Sequence, residues 1–99
     1  MKIEKFLNGE EKDVNTINDA VTRLGDSYFV LKSYNKAMDY YNQIIAKHSQ
    51  GQDYAMFQRG MIQGLQGSLD TKIGTLNNVL TTFPNSDFAD DAAFELPIP

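Results

Sequence analysis

Few residues of this sequence could carry out catalysis. His48 is the only histidine in the 99 residues, and Ser49 follows it directly. Adjacent residues seldom hold the geometry of a nucleophile and its base, and no orienting acid or oxyanion donor is identifiable beside them. We expect His48 instead to lie in the last turn of a helix, where a partial positive charge suits the dipole. Since the absence of cysteine also excludes a thiol nucleophile and a thiolate zinc site, we predict a protein that is not an enzyme and holds no cofactor.

A group of carboxylates is the second candidate for chemistry. Four acids follow the last basic residue, Lys72: Asp87, Asp90, Asp91 and Glu95. A hard-cation site needs more oxygen ligands in a loop geometry. Three of these acids lie instead in the first turn of a predicted helix, where carboxylates complement the dipole and Ser86 or Asp87 can cap. We interpret them as a solvated helix end and predict no metal site.

Composition limits the classes of partner. Apolar residues make up 41% and charged residues 22%, near the average of folded globular proteins, and the net charge is -4. An acidic chain lacks the basic footprint of a nucleic-acid binder. Apolar runs such as residues 28–31 are far shorter than the roughly 20 residues that span a bilayer. We therefore predict neither a nucleic-acid partner nor direct insertion into a membrane.

The elements that must position any site are helices, because apolar residues recur at three- and four-residue steps almost throughout the sequence. Gly, Ser, Asn and Pro interrupt this spacing and mark helix ends. We predict helices at residues 15–32, 34–48, 52–66, 69–83 and 87–96, with a helical remnant at residues 2–7. Connections this short permit only antiparallel hairpins, and each helix must bury its apolar stripe against a neighbour.

The helical pattern repeats with a period of 35 residues. This offset places Gly25 on Gly60, and it superposes apolar residues in four further pairs: Tyr34 and Leu69, Tyr41 and Leu76, Ile44 and Val79, Ile45 and Leu80. A period of this length with two helices per unit is typical of an α-solenoid, in which each hairpin is buried only by adjacent hairpins.

The first unit resembles a tetratricopeptide repeat (TPR), whose pattern is W-x2-L-G-x2-Y, then A-x3-F, then P. The corresponding residues are Val21, Leu24, Gly25, Tyr28, Ala37 and Tyr41, with Ser49 in place of the proline. The resemblance implies an all-α superhelix of antiparallel hairpins, about five helices plus the remnant. Within it, Leu24 and Tyr28 are expected to fill the space between the two helices of the hairpin. Gly25 and Ala37 are expected where those helices cross closely, and Tyr41, Ile44 and Ile45 where the next repeat packs.

The second unit keeps Met56, Gly60 and Pro84 of the pattern but departs from it at Arg59, Gln63 and Lys72, which puts its helix packing in doubt. We treat the whole chain as one TPR-like domain. Its parts are the end of a preceding repeat with its loop (2–14), repeat 1 (18–51), repeat 2 (52–86) and a partial third repeat (87–99). Since roughly three units make a stable stack, we expect a fragment of a longer array or a stack that a second chain completes.

The run from Phe83 to Leu96, F-P-N-S-x-x-A-D-D-A-x-F-E-L, is similar to the repeat joints of bacterial envelope TPR proteins. Examples are Tol-Pal accessory proteins and outer-membrane assembly lipoproteins. This narrower resemblance implies a periplasmic or cell-envelope location.

In the TPR family, the first helix of each hairpin lines a concave groove that binds extended peptides or partner helices. The register of the repeat assigns two sets of groove residues: Asp19, Thr22, Asp26, Phe29 and Val30 in the first unit, and Tyr54, Phe57, Met61, Gly64 and Leu65 in the second. The second set is mostly apolar and forms one helical stripe. These side chains either bind a partner or pack against a neighbouring repeat or sister chain. The Lys and Asn of a carboxylate clamp are absent at the relevant positions, so we do not expect binding of an acidic C-terminal peptide.

The prediction from the resemblance is a non-catalytic scaffold that binds a protein or peptide partner, with Tyr54 and Phe57 as anchors. The alternative is a structural module that pairs chain to chain as a homo-oligomer through exposed repeat ends. The Gly60-x3-Gly64 spacing is expected to mark a close crossing of soluble helices, since its surroundings are too polar for a membrane helix.

Overall fold

The structure is a computed structural model that describes residues 14–48 and 50–97. The helical remnant predicted at residues 2–7 and Ser49 lie outside these ranges. The described residues form five helices and no strand: α1 (Val14–Val30), α2 (Tyr34–Ala46), α3 (Gln52–Leu65), α4 (Leu69–Thr82) and α5 (Asp87–Glu95). The predicted all-α class is confirmed, and each predicted boundary of these five helices lies within two residues of the observed one.

Helices α1 and α3 end in the same way, at residues with a left-handed backbone. Lys32 has a φ of 61°, its N–H donates to Phe29 O (2.9 Å), and the N–H of Ser33 donates to Tyr28 O (2.9 Å). This six-to-one and five-to-two pairing is the Schellman motif, which satisfies the last carbonyls of a helix. Gly67, with a φ of 85°, ends α3 with the same pair of bonds. The periodicity of the sequence therefore extends to the turns.

The sequence predicted that His48 lies in the last turn of a helix. The structure places it after the end of that helix. Helix α2 ends at Ala46, and His48 follows in the turn with a φ of 50°. A left-handed residue cannot continue a right-handed helix, which is why the apolar spacing placed the helix end two residues too late. The His48 Nδ1 atom lies 3.3 Å from Gln52 Nε2 in the first turn of α3.

Each helix packs on the next one along the chain, and α5 also contacts α3. Burial occurs in two successive clusters and has no single centre. The first cluster joins α2 to α3 and contains Ala37, Tyr41, Ile44, Ala55 and Ile62, with Ile45 and Tyr54 packed against it. The second joins α4 to α5 and contains Leu76, Val79 and Ala92. This arrangement of stacked hairpins confirms the solenoid and the expected packing of Tyr41, Ile44 and Ile45 on the following repeat.

Three of the glycines lie where the helices of one hairpin cross. A Cβ atom on Gly25 would approach Tyr41 Cε1 to 2.8 Å, and one on Gly60 would approach Leu76 Cδ2 to 2.8 Å. A Cβ on Gly64 would lie 2.7 Å from Lys72 Cδ. The expected close crossings at Gly25 and in the Gly60-x3-Gly64 pair are therefore confirmed.

The expected role of Leu24 is wrong, whereas that of Tyr28 is confirmed. Tyr28 packs against the first cluster and stacks on Tyr40 of α2, with ring centroids 5.6 Å apart. Leu24 is 44% exposed. The face of α1 that meets α2 carries Val21, Gly25 and Tyr28, and Leu24 projects beside this face.

The second hairpin packs despite its departures from the repeat pattern, because each departure has a polar partner. Arg59 donates to Asn42 (3.2 Å), Gln63 accepts from Thr75 (2.7 Å) and Lys72 pairs with Glu95 (3.3 Å). Gln63 and Thr75 are both buried. A buried amide is tolerated when it is hydrogen-bonded, so this pair replaces the apolar contact that the aromatic residue of the pattern would make.

Candidate partner-binding groove

Asp26 connects the two repeats at the centre of the candidate groove. It lies on α1, and its Oδ1 atom accepts hydrogen bonds from the hydroxyls of Tyr41 on α2 (2.5 Å) and Tyr54 on α3 (2.7 Å). Gln58, one turn after Tyr54, donates from Nε2 to the Tyr54 hydroxyl (3.2 Å). Hydrogen bonds to a charged acceptor are shorter and stronger than neutral ones. These hydrogen bonds therefore join the first helices of the two repeats through one carboxylate.

Both tyrosine hydroxyls at this junction are held in the neutral form. Burial raises the pKa of Tyr41 well above its ordinary value, and the hydrogen bond and negative charge of Asp26 add to the effect. The same causes, again with burial first, raise the pKa of Tyr54 to about 12. The neutral hydroxyls donate to the carboxylate, and an ionised phenolate would instead repel it. The arrangement is a fixed structural network and contains no acid and base pair for catalysis.

The two proposed anchors contact the third repeat unit. Phe88 of α5 packs edge-on against the ring of Tyr54, with centroids 5.2 Å apart, and against Phe57 with centroids 5.9 Å apart. The Tyr54 ring also meets Tyr41 edge-on at 6.3 Å. Tyr54 and Phe57 are nevertheless only half-buried. One side of each ring is thus held by neighbouring repeats and the rest remains accessible.

The other groove positions on α3 are progressively more exposed towards its C-terminal end. Met61 and Gly64 are half-buried, and Leu65 is 57% exposed. Gly64 packs against the side chain of Lys72 on α4. Of the predicted apolar stripe, Tyr54 and Phe57 therefore have packing partners in the adjacent repeat, whereas Leu65 projects towards solvent.

The groove positions on α1 are mostly polar. Asp19 forms an exposed ion pair with Arg23 (3.0 Å), and the Thr22 hydroxyl donates to the carbonyl of Asn18 (2.9 Å). Asp19, Thr22 and Asn18 line an open pocket of about 310 Å³ together with Gln50 and Gly51 of the loop between α2 and α3. The surroundings of Asp19 and Thr22 are therefore polar.

Phe29 and Val30, the last groove positions on α1, have different surroundings. Phe29 meets the ring of Tyr34 edge-on, with centroids 5.7 Å apart, and packs against the first cluster. Val30 is 78% exposed. Phe29 therefore contributes to the hairpin, and Val30 does not contact the core.

Sequence reasoning missed Gln58 and Phe88, which both contact Tyr54. Neither occupies a motif position of the repeat. The four-residue spacing of Tyr54 and Gln58 was a signal for their contact on one helix face. Nothing in the spacing indicated Phe88, because its contact depends on how α5 stacks on α3.

The described residues contain no group of three His, Cys, Asp or Glu side chains that could hold a metal ion. None of the helices in residues 14–48 and 50–97 has the length and apolarity needed to cross a membrane.

Ser86 caps α5, since its Oγ accepts from the N–H of Phe88 (3.0 Å), and the predicted cap at this helix is confirmed.

Comparison with known proteins agrees with the geometry. A family model described as tetratricopeptide repeat matches residues 19–51 and 54–86, two segments with the same 35-residue offset that relates the two hairpins. No curated protein and no solved structure matches the chain significantly. Repeats of this family generally mediate protein–protein interaction and are typically non-catalytic scaffolds. The match covers most of the sequence, and the chain belongs to the tetratricopeptide repeat family.

Proposed function

We propose that the protein is a non-catalytic scaffold that binds an extended peptide or a partner helix in the groove formed by α1 and α3. The observation that supports this most directly is the half-burial of Tyr54 and Phe57, whose rings are fixed on one side by Phe88. Side chains that are held in place before binding lose little conformational entropy when a partner arrives. Tyr54 and Phe57 are therefore suitable anchors.

The groove favours a partner that presents apolar side chains to α3 and polar groups to α1. Helix α3 offers Phe57 and Met61, an aromatic ring and a flexible thioether, and such surfaces adapt to apolar partners. Helix α1 offers Asp19 and Thr22, which line the polar pocket. We infer that an extended segment lies across both helices, with its apolar side chains on α3.

The test uses peptides selected on the intact chain from a random library. The variants are Phe57→Ala and Met61→Ala, and we expect each to weaken the binding of a selected peptide by about tenfold, the effect of losing an interface hot spot. The matched control is Met38→Ala, because Met38 is also half-buried but lies on α2, outside the groove. We expect the control to change affinity by less than about twofold.

Circular dichroism of each variant separates loss of binding from loss of fold. An unchanged affinity in folded Phe57→Ala and Met61→Ala variants would contradict the groove proposal. Tyr54 is unsuitable for truncation to Ala, since its hydroxyl and ring join three helices.

A second candidate function is pairing of chains through the ends of the stack. It is supported by exposed apolar side chains on the first and last described helices, Leu24 on α1 (44%) and Phe94 on α5 (87%). A strict monomer in a light-scattering concentration series would exclude the pairing version.

The similarity of the joint at residues 83–96 to envelope TPR proteins supports a location in the bacterial cell envelope as a further part of this proposal. Fractionation of source cells, with detection of the protein by antibody, tests it. Recovery in the cytoplasmic fraction alone would contradict it.

A further inference from the structure

Asp26 carries a negative charge that no cation in the described part of the chain neutralises. Its Oδ1 atom accepts hydrogen bonds from Tyr41 and Tyr54, two neutral hydroxyls. The ion pairs found in the described part of the chain involve other carboxylates, those of Asp19 and Glu95. The charge of Asp26 is therefore available to a positively charged group from outside.

The second oxygen of Asp26 is accessible to solvent. Oδ2 accepts no hydrogen bond from a described residue, since both hydroxyls bind Oδ1. Among residues 14–48 and 50–97, no side-chain oxygen of a residue that is itself not exposed is both buried and without a hydrogen-bond partner. Asp26 is half-buried, so its Oδ2 must be open to water or to a bound molecule.

Gln58 offers a second acceptor beside this carboxylate. Its Nε2 atom donates to the Tyr54 hydroxyl (3.2 Å), which in turn donates to Asp26. The amide is thereby held next to the carboxylate. Gln58 is also half-buried, and its Oε1 atom accepts no bond within the described residues, so the same reasoning makes this oxygen accessible.

These two oxygens lie next to the apolar stripe of α3. Tyr54, Gln58 and Met61 follow one another at four- and three-residue steps, so their side chains share one face of the helix. The groove positions assigned on α1 and α3 include Asp19 and Asp26 and no lysine or arginine. Asp19 already pairs with Arg23, which leaves Asp26 as the unmatched charge of the groove.

We infer that the segment bound in the groove places a lysine side chain on Asp26 Oδ2 and Gln58 Oε1. The inference rests on the groove function proposed above and specifies the chemistry of the partner. An apolar group laid over Asp26 would remove water from a charge and put nothing in its place, which is unfavourable. An ammonium group supplies both the opposite charge and three hydrogen-bond donors.

Arginine fits this site less well than lysine. The planar fork of a guanidinium pairs best with both oxygens of one carboxylate, and Oδ1 of Asp26 is already engaged by two hydroxyls. A compact ammonium can instead donate to one carboxylate oxygen and one amide oxygen. The partner is therefore a segment in which a lysine stands close to the apolar residues that contact Phe57 and Met61.

The experiment uses the intact chain and peptides selected on it from a random library. We expect lysine to recur at one position in the peptides whose binding depends on Phe57 and Met61. Replacing that lysine by methionine keeps the length of the side chain and removes the charge. The dissociation constant, measured by fluorescence anisotropy, should rise about tenfold, the effect of losing one hydrogen bond to a charged group.

A protein variant locates the contact at Asp26. Asp26→Asn removes the charge and keeps an oxygen that can accept from the two tyrosines. It should raise the dissociation constant of the lysine peptide about tenfold and that of the methionine peptide by less than about twofold, because both changes remove the same interaction. The matched control is Asp39→Asn, which changes the net charge equally at an exposed carboxylate of α2 and should alter binding by less than about twofold.

The outcomes separate this inference from the groove function itself. Peptides that depend on Phe57 and Met61 but lack lysine, or that bind a folded Asp26→Asn variant unchanged, would overturn the lysine contact and leave the groove function standing. Equal losses in Asp26→Asn and Asp39→Asn would also overturn it, since the charge would then act only at long range. Peptides that ignore Phe57 and Met61 would overturn both proposals.

Discussion

The glycines at the helix crossings show how little space the packing leaves for a side chain. Gly60 packs against Leu76, which is fully buried. Gly25 is buried against Tyr41 in the same way in the first hairpin. A methyl group at either position would displace a core side chain that has no free volume around it. The glycine of the repeat motif is therefore required by packing and not by backbone conformation.

Gly60→Ala should lower the free energy of unfolding by about 1–3 kcal/mol, the usual cost of overpacking a core. The matched control is Gly74→Ala in α4, where a Cβ would meet nothing within 4 Å. Alanine is favoured over glycine in a helix, so the control should raise the free energy of unfolding by about 0.5–1 kcal/mol. Urea denaturation measures both, and equal effects at the two sites would contradict this account.

Because Tyr41 and Tyr54 donate hydrogen bonds to Asp26, we predict that the protein loses stability at alkaline pH. Burial, with the charge of Asp26, raises the pKa of Tyr54 to about 12 and that of Tyr41 further. Their raised pKa values contribute stability that is complete below the unfolded pKa of about 10 and is lost as pH rises towards the folded pKa. The free energy of unfolding should therefore fall between about pH 10 and pH 12.

The Tyr54→Phe variant provides the control for this pH dependence. It should lose the hydrogen bond at neutral pH, at a cost of about 1–2 kcal/mol, and should show a shallower decline in stability above about pH 10. Urea denaturation across this pH range measures the slope. An identical slope with and without the Tyr54 hydroxyl would disprove the proposed link.

At the scale of elements, the start of α5 is fixed differently from the starts of α2 and α4. Ser86 accepts from the N–H of Phe88 and donates to Asp53 of α3 (2.5 Å). Ser33 and Ser68, the N-cap residues of α2 and α4, make no side-chain capping bond. Ser86 thus both caps its own helix and attaches it to the preceding hairpin.

Ser86→Ala should destabilise α5 by about 1–2 kcal/mol, through loss of the cap and of the bond to Asp53. Ser68→Ala, the matched control, should change stability by less than about 0.5 kcal/mol because its hydroxyl caps nothing. Hydrogen exchange of the α5 amides measures the effect, which should be about tenfold faster exchange in the first variant. Similar exchange in both variants would show that Ser86 does not hold α5.

At the scale of the whole molecule, each repeat of the stack contacts only the adjacent repeats. The apolar clusters join α2 to α3 and α4 to α5, and α5 reaches α3 through Phe88. In such a quasi-one-dimensional array, stability is a sum of repeat terms and nearest-neighbour terms. A change at one end should therefore weaken the other end less than its own.

Phe88→Ala tests this locality. Removing the ring from between Tyr54 and Phe57 should cost about 1–3 kcal/mol, less than for a fully buried phenylalanine. Hydrogen exchange should accelerate most in α5 and α4 and least in α1 and α2. Equal acceleration in all helices would mean that the molecule unfolds as one cooperative unit.

The sequence alone determined the class and the order of the described helices, and their bounds to within two residues, because apolar spacing and turn residues act locally. It also located the close crossings at Gly25 and Gly60, since a glycine that recurs at the repeat period within a helix indicates a place with no room for a side chain. The misplaced end of α2 at His48 has a local cause, namely a left-handed conformation that residue types other than glycine rarely signal.

Only the tertiary structure decided which side chains meet across repeats. Asp26 and Tyr54 were both assigned to the groove from the repeat register, but their hydrogen bond depends on the rotation between successive hairpins. The contact of Phe88 with Tyr54 and Phe57 and the exposure of Leu24 have the same origin. These features depend on the relative orientation of whole helices, which is set by the sum of many packing contacts and is not encoded in the spacing of any one helix.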